Sequence, residues 1–262
     1  MLKRNEEPEK VPEKIVNPID YRLLLVIFGL IIGLQIYVYA SHDSDQATFV
    51  TRVVSAINPL AGAIMAFVVS KRYWQSKVFG KAYLALGVGM FMNFLGALSY
   101  DIYDSLGLQT IPSIADVFYL AFYPITLCHL ILNIRFFNAK ISKLKKIGVI
   151  AIPVVIISAY SVVALDKTGG ANFDYFYGLS YVLGSSILLA GAVLGALIFR
   201  QGVLGAAWLL LVIGITLTTV GDNWYSYVEM FDQYSIVHPV NLMWYAGYMV
   251  ITYALFKHRD SL

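Results

Sequence analysis

The residues best equipped for chemistry in this chain are a few carboxylates set among aromatic rings. Asp101, Asp104 and Asp116 fall around a polar stretch, residues 100–124, together with Tyr100, Tyr103, Tyr119 and Tyr123. A looser copy, residues 221–248, carries Asp222, Tyr225, Asn241, Trp244 and Tyr248. On a helix, positions i, i+3 and i+7 share a face. Asp116, Tyr119 and Tyr123 have that spacing, and so do Asn241, Trp244 and Tyr248. Facing each other, the two sets would line an aromatic cleft with a carboxylate and an amide at its mouth. Such a cleft suits a flat or cationic ligand held by ring faces and an acidic anchor. The candidate binding residues are therefore Asp101, Tyr103, Asp116, Tyr119, Tyr123, Asp222, Tyr225, Asn241, Trp244 and Tyr248.

Each of these also has a plainer role. Ser113-Ile114-Ala115-Asp116 after Pro112 is a capping-box pattern, in which Asp116 starts a helix. Tyrosine and tryptophan near a helix end fit an interfacial aromatic belt. Asp104, Glu229 and Asp232 read as solvated loop charges. Asp101 and Asp222 are harder to explain away. Each follows a long apolar run, where a helix C-terminus disfavours negative charge. An ionisable group at that depth is expensive and needs a partner, such as a tyrosine hydroxyl, a bound cation or a proton.

The histidines and the cysteine say less. His42 and His258 read as loop and tail residues, His129 and Cys128 as core residues of one apolar run. His238 precedes Pro239 and could cap the last helix; with Asp101 and Asp222 it offers an alternative metal site. The single cysteine excludes an intrachain disulfide and a thiolate cluster. No serine elbow, Walker loop, HExxH or dinucleotide glycine pattern occurs, so the motifs imply neither an enzyme nor a cofactor.

The elements that must position these residues are set by composition. Of 262 residues, 59% are hydrophobic and 13% charged, against roughly 25% charged in a soluble domain. Mean hydropathy is +0.70. Eight apolar runs, 23–40, 53–70, 82–100, 117–136, 147–165, 177–199, 202–220 and 240–256, approach the ~20 residues that cross a bilayer. None alternates as a membrane strand would. The expectation is an all-α polytopic membrane protein of eight transmembrane helices, with Pro59, Pro124 and Pro153 inside helices. The net charge of +3 is no nucleic-acid signal, because the basic residues flank membrane-crossing runs.

Lys71, Arg72, Lys77 and Lys81, then Lys140, Lys143, Lys145 and Lys146, then Arg200, Lys257 and Arg259 mark one side; Asp43, Asp45, Asp101, Asp104, Asp222, Glu229 and Asp232 mark the other. Only Arg52 and Lys167 break the pattern. The positive-inside rule then puts both termini in the cytoplasm and the two polar stretches outside. A shift of 125 residues lays Asp116 on Asn241, Tyr119 on Trp244 and Tyr123 on Tyr248, while a shift of 121 lays Asp101 on Asp222. Two parallel four-helix repeats are expected. The expected division is a disordered cytoplasmic tail (1–20), a first repeat (21–136), a basic cytoplasmic loop (137–146), a second repeat (147–257) and a short tail (258–262).

The run from Pro112 to Pro124, with Asp116, Tyr119 and Tyr123, resembles a motif in the multi-helix membrane input regions of prokaryotic signalling proteins. These are the sensor halves of diguanylate cyclases, phosphodiesterases and some histidine kinases. Asp222 and the Asn241–Trp244–Gly247–Tyr248 set are similar to that region's second half. The resemblance implies a sensory or ligand-binding role for Asp116, Tyr119 and Tyr123. With only residues 258–262 after the second repeat, it implies an input region without an output domain, working in the bilayer on a small or lipophilic ligand through a cytoplasmic or membrane partner. Two other readings stay open. One is a transporter built on parallel repeats. The other is a metal-dependent intramembrane lipid hydrolase on Asp101, Asp222 and His238, which resembles seven-helix ceramidase-like enzymes in plan but lacks their paired histidines on the final helix.

Overall fold

A computed structural model describes residues 19–41, 44–108, 111–137, 141–199, 205–231, 233–235 and 237–259. Eight helices account for nearly all of them: α1 (Tyr21–Ala40), α2 (Asp45–Arg72), α3 (Phe79–Ser105), α4 (Ile114–Phe137), α5 (Lys143–Lys167), α6 (Phe173–Phe199), α7 (Gly205–Met230) and α8 (Val240–Arg259). Each expected apolar run forms one helix, and Pro59, Pro124 and Pro153 all lie inside theirs. Most helices outrun their apolar runs, and at α1, α2 and α5 a polar N-cap rather than hydropathy sets the start. Ser44 accepts from the Ala47 amide to start α2, and Ser142 accepts from the Lys145 amide to start α5.

Seven helices, α1 to α7, are long and apolar enough to cross a membrane, which makes this a multi-helix protein of membrane type. α8 falls below that measure, because Asn241, Trp244, three tyrosines and Lys257-His258-Arg259 lower its mean hydropathy. It is nevertheless among the best-buried helices, from Val240 to His258. A helix enclosed by protein can carry polar and aromatic side chains that a lipid-facing one cannot. α1 and α5 show the converse: Leu25, Leu30 and Ile36 on α1, and Ile147, Val155 and Val162 on α5, are exposed.

Six helices close a ring in the order α2, α3, α4, α6, α7, α8, with α8 packed back on α2. α1 lies outside against α8 and α2, and α5 outside against α6 and α7. The ring is unchanged when α2, α3 and α4 are exchanged for α6, α7 and α8. Two crossings within it are built alike, 125 residues apart. A Cβ placed on Gly89 of α3 would meet Thr126 and the Phe122 carbonyl of α4. One placed on Gly214 of α7 would meet Ile251 and the Gly247 carbonyl of α8.

One half of the bundle is solid. Leu86, Met90, Leu130, Leu188, Trp208, Leu211, Ile215, Ile251 and Leu255 form a continuous core with Tyr73, Phe79 and Tyr83. His258 belongs to it, which corrects its reading as a tail residue. It is fully buried, and its Nδ1 lies 2.7 Å from the Tyr83 hydroxyl. His129 is buried beside it, with Nδ1 2.8 Å from the Ala82 carbonyl and its ring stacked on Trp208. Cys128 goes the other way: it is exposed on α4 rather than in the core.

Residues 1–18 of the expected tail, Arg200 and His42 lie outside the described residues. Ile19 and Asp20, the end of that tail, are structured. Asp20 caps α1 through the Arg22 and Leu23 amides, and its own amide donates to the Tyr253 hydroxyl at 2.8 Å. This brings the start of α1 against the last turns of α8. Lys143, Lys145 and Lys146 belong to α5 rather than to a loop.

Candidate functional site

The opposite half of the ring is hollow. A cavity of about 850 Å³ takes its lining from α2 to α8 and the adjoining loops, from the N-terminal portions of α2, α4, α6 and α8 and the C-terminal portions of α3, α5 and α7. Its residues include Thr51, Ser55 and Pro59 of α2, Asn93 to Asp104 of α3, Asp116 to Tyr123 of α4, and Asp222 to Met230 of α7. Pro59 and Asn93 sit near the middles of their helices, so the hollow runs inward to about half the bundle's depth.

Nine of the ten candidate residues meet there: Asp101, Asp116, Tyr119, Tyr123, Asp222, Tyr225, Asn241, Trp244 and Tyr248. Tyr103 does not. α3 stays helical to Ser105, so two residues beyond Asp101 the chain has turned about 200° away. The same turn brings Tyr100 and Asp104 onto the cavity face. Asp104 and Glu229 are thus helical residues of the cavity, not loop charges; Asp232 lies outside the described residues.

Asp116 does two jobs at once. Its Oδ2 accepts from the Ser113 amide at 2.6 Å, which completes the capping box. Its Oδ1 accepts from the Tyr177 hydroxyl of α6 at 2.6 Å and from that of Tyr181. Tyr177 and Tyr181 were missed because they open an apolar run. Their four-residue spacing was the available signal, since it puts both hydroxyls on one helix face.

Asp222 is held from two helices. The Tyr123 hydroxyl of α4 donates to Oδ2 at 3.1 Å, and the Trp244 indole of α8 donates to Oδ1 at 2.8 Å. It stands eight residues before the end of α7, so the helix-terminus argument does not apply to it. Tyr119 and Trp244 reach these positions by resting on glycines. A Cβ on Gly96 would fall 2.6 Å from the Tyr119 ring, and one on Gly221 would fall 2.9 Å from the Trp244 nitrogen. Those glycines are again 125 residues apart. In that register Asp101 corresponds to Ser226, and Asp222 to Ala97. α3 and α7 end 125 residues apart as well, at Ser105 and Met230, so the helix ends do not support the 121-residue shift that pairs Asp101 with Asp222.

Asp101 has a basic partner after all. Arg52, one of the two residues that broke the charge pattern, is ion-paired to Asp104, with its Nε 3.9 Å from Asp101. Lys167, the other exception, also lines the cavity, and its ammonium lies 5.2 Å from the Phe231 ring centre. Both exceptions to the charge asymmetry thus lie at this site. The remaining wall is aromatic: Tyr225 contacts Tyr234 and Trp244 at ring-centre distances of 5.0 and 5.4 Å. Tyr234, in the loop before α8, donates to Asn241 Oδ1 at 3.3 Å, and burial pushes its hydroxyl above the usual tyrosine range.

His238 is spent elsewhere. Its Nδ1 accepts from the Val240 amide at 3.2 Å and so caps α8, as its place before Pro239 suggested. Asp101, Asp222 and His238 are not gathered, and among the described residues no group of three or more His, Cys, Asp or Glu is placed to hold a metal ion. Comparison with family models, with curated proteins and with solved structures finds no match.

Proposed function

We propose that the chain is a ligand-binding membrane module: eight spans, an outward-facing cleft, and a partner that reads the cleft's occupancy. The observation that carries this reading is the 850 Å³ cavity itself, within the size range of small-molecule sites and built by seven helices at one end of the bundle. A ligand there would touch both halves of the ring, so its binding would bias how they pack. The packed layer beneath, from Met90 and Leu86 to Trp208 and Leu211, supports a closed cleft over a transport path. The scattered Asp101, Asp222 and His238 weigh against the hydrolase.

Two parallel four-helix repeats are part of the proposal. They are supported by the exchange symmetry of the ring and by glycine crossings that recur at 125 residues. Cytoplasmic termini and a cell-membrane location belong to the same proposal, and the basic residues at the solid end support that orientation. The sensor reading rests on the resemblance of the segment holding Asp116, Tyr119 and Tyr123.

Cysteine labelling tests cleft, closure and orientation together. In a Cys128→Ser background, Ala97→Cys should react with a membrane-impermeant thiol reagent from the outer side. Leu86→Cys and Leu211→Cys should react from neither side. Labelling of the latter two from the cytoplasmic side would move the transporter reading to the front.

A further inference from the structure

The charges of the cavity say what kind of ligand it would take. Among the described residues, six carboxylates line it, Asp101, Asp104, Asp116, Asp174, Asp222 and Glu229, against two basic groups, Arg52 and Lys167. Arg52 is engaged by Asp104 and Asp101, and Lys167 lies over Phe231. Neither reaches the inner carboxylates. Among the described residues, Asp222 and Asp116 accept only from neutral donors: Tyr123 and Trp244 in the first case, Tyr177, Tyr181 and the Ser113 amide in the second.

Both oxygens of Asp222 accept, from donors on different helices, an arrangement that suits the ionised carboxylate. Neutral donors fix its orientation but leave its charge uncompensated. A carboxylate in a partly dry, protein-walled space is costly without a counter-charge. Four aromatic side chains, Tyr123, Tyr248, Trp244 and Tyr119, line the same cavity, and aromatic rings attract cations at their faces.

A second observation is independent of charge. Asn93 lines the floor of the cavity and is only 7% exposed, and its amide nitrogen is buried without a hydrogen-bond partner. A buried donor left unmade costs about 1–3 kcal/mol, so it calls for an acceptor from whatever fills the space. A bare metal ion supplies none, and a cavity of this size far exceeds one.

We infer that the ligand is an organic cation that also carries a hydrogen-bond acceptor, as an amino ester, amino alcohol or amino amide does. Its ammonium group sits against Asp222 among the aromatic rings, and its acceptor oxygen takes the Asn93 amide proton. This rests on the binding-module reading and adds the chemical class of the ligand to it.

The test uses the full chain purified in detergent and four probes, read by thermal unfolding and titration calorimetry. Benzoylcholine has the cation and the acceptor, and 3,3-dimethylbutyl benzoate is its uncharged isostere. Benzyltrimethylammonium keeps the cation without the acceptor, and benzoate has the opposite charge. Benzoylcholine should bind about tenfold or more tightly than its neutral isostere, and benzoate should not bind. Asp222→Asn should cost benzoylcholine about tenfold, whereas Asp166→Asn, on α5 outside the cavity, should cost nothing. Asn93→Ala should weaken benzoylcholine but not benzyltrimethylammonium. Equal binding of the isostere, preference for benzoate, or silence of both cations while the cysteine-labelling pattern holds would overturn the cation assignment alone. Loss of that labelling pattern would overturn the cleft beneath it.

Discussion

Gly214→Ala tests whether the α7–α8 crossing is as close as the structure has it, and with it the placing of Asp222 against Trp244. A Cβ at Gly214 would fall 2.5 Å from Ile251 Cγ1, 2.8 Å from the Gly247 carbonyl oxygen and 3.0 Å from the Ile251 nitrogen. Comfortable carbon contacts lie at roughly 3.5–4.0 Å. Two of the three obstacles are backbone atoms, so no rotamer change can relieve them and the helices must separate. Overpacking of this kind costs about 1–3 kcal/mol, and the better helix propensity of alanine returns about 1 kcal/mol. The expected net loss is about 0–2 kcal/mol. Gly89→Ala, at the matching place in α3, is the control. Its one hard contact is the rotatable Thr126 Oγ1, while the nearest backbone atoms are at 3.4 and 3.6 Å. There the propensity gain should largely cancel the crowding. The assay is equilibrium unfolding in mixed detergent micelles with increasing dodecyl sulfate, followed by circular dichroism. A Gly89→Ala loss equal to or larger than that of Gly214→Ala would refute the reasoning.

Two more substitutions probe the carboxylate holders and the solid half. Tyr181→Phe and Tyr177→Phe each remove a donor to Asp116, and a hydrogen bond to a charged group is worth about 1.5–3 kcal/mol. Each should lower stability measurably in the same unfolding assay, and indifference in both would mean that Asp116 only caps α4. His258→Ala leaves a hole in the core and strips the Tyr83 hydroxyl of its partner, at about 2–4 kcal/mol. A change within ~0.5 kcal/mol, as at an exposed position, would return His258 to the tail.

The sequence carried the architecture because a bilayer leaves few options. Without water to satisfy backbone groups, apolar runs of about twenty residues must be helices, and all eight were legible. The i, i+3, i+7 spacing also named six cavity residues, Asp116, Tyr119, Tyr123, Asn241, Trp244 and Tyr248, since that periodicity survives whatever the helix packs against. What failed were inferences from hydropathy at the helix ends. Tyr103 was grouped with Asp101 because helix α3 was taken to stop at Tyr100; the backbone runs on through polar residues and rotates it away. His258 and Cys128 changed places for a related reason. His258 stands between Lys257 and Arg259 and Cys128 inside an apolar run, yet only the ring of helices decides that His258 is buried while Cys128 faces outward.

The sequence by itself determined eight helices, the segregation of acidic from basic ends, and the faces on which the tyrosines and aspartates lie. These are local or bilayer-imposed properties. Tertiary structure alone decided which faces meet: Tyr123 and Trp244, 121 residues apart, close on one carboxylate, and Arg52 crosses from α2 to Asp104 of α3. No spacing rule encodes those pairings, because they depend on where helices cross, and that is set by glycines such as Gly89 and Gly214 that let two backbones approach.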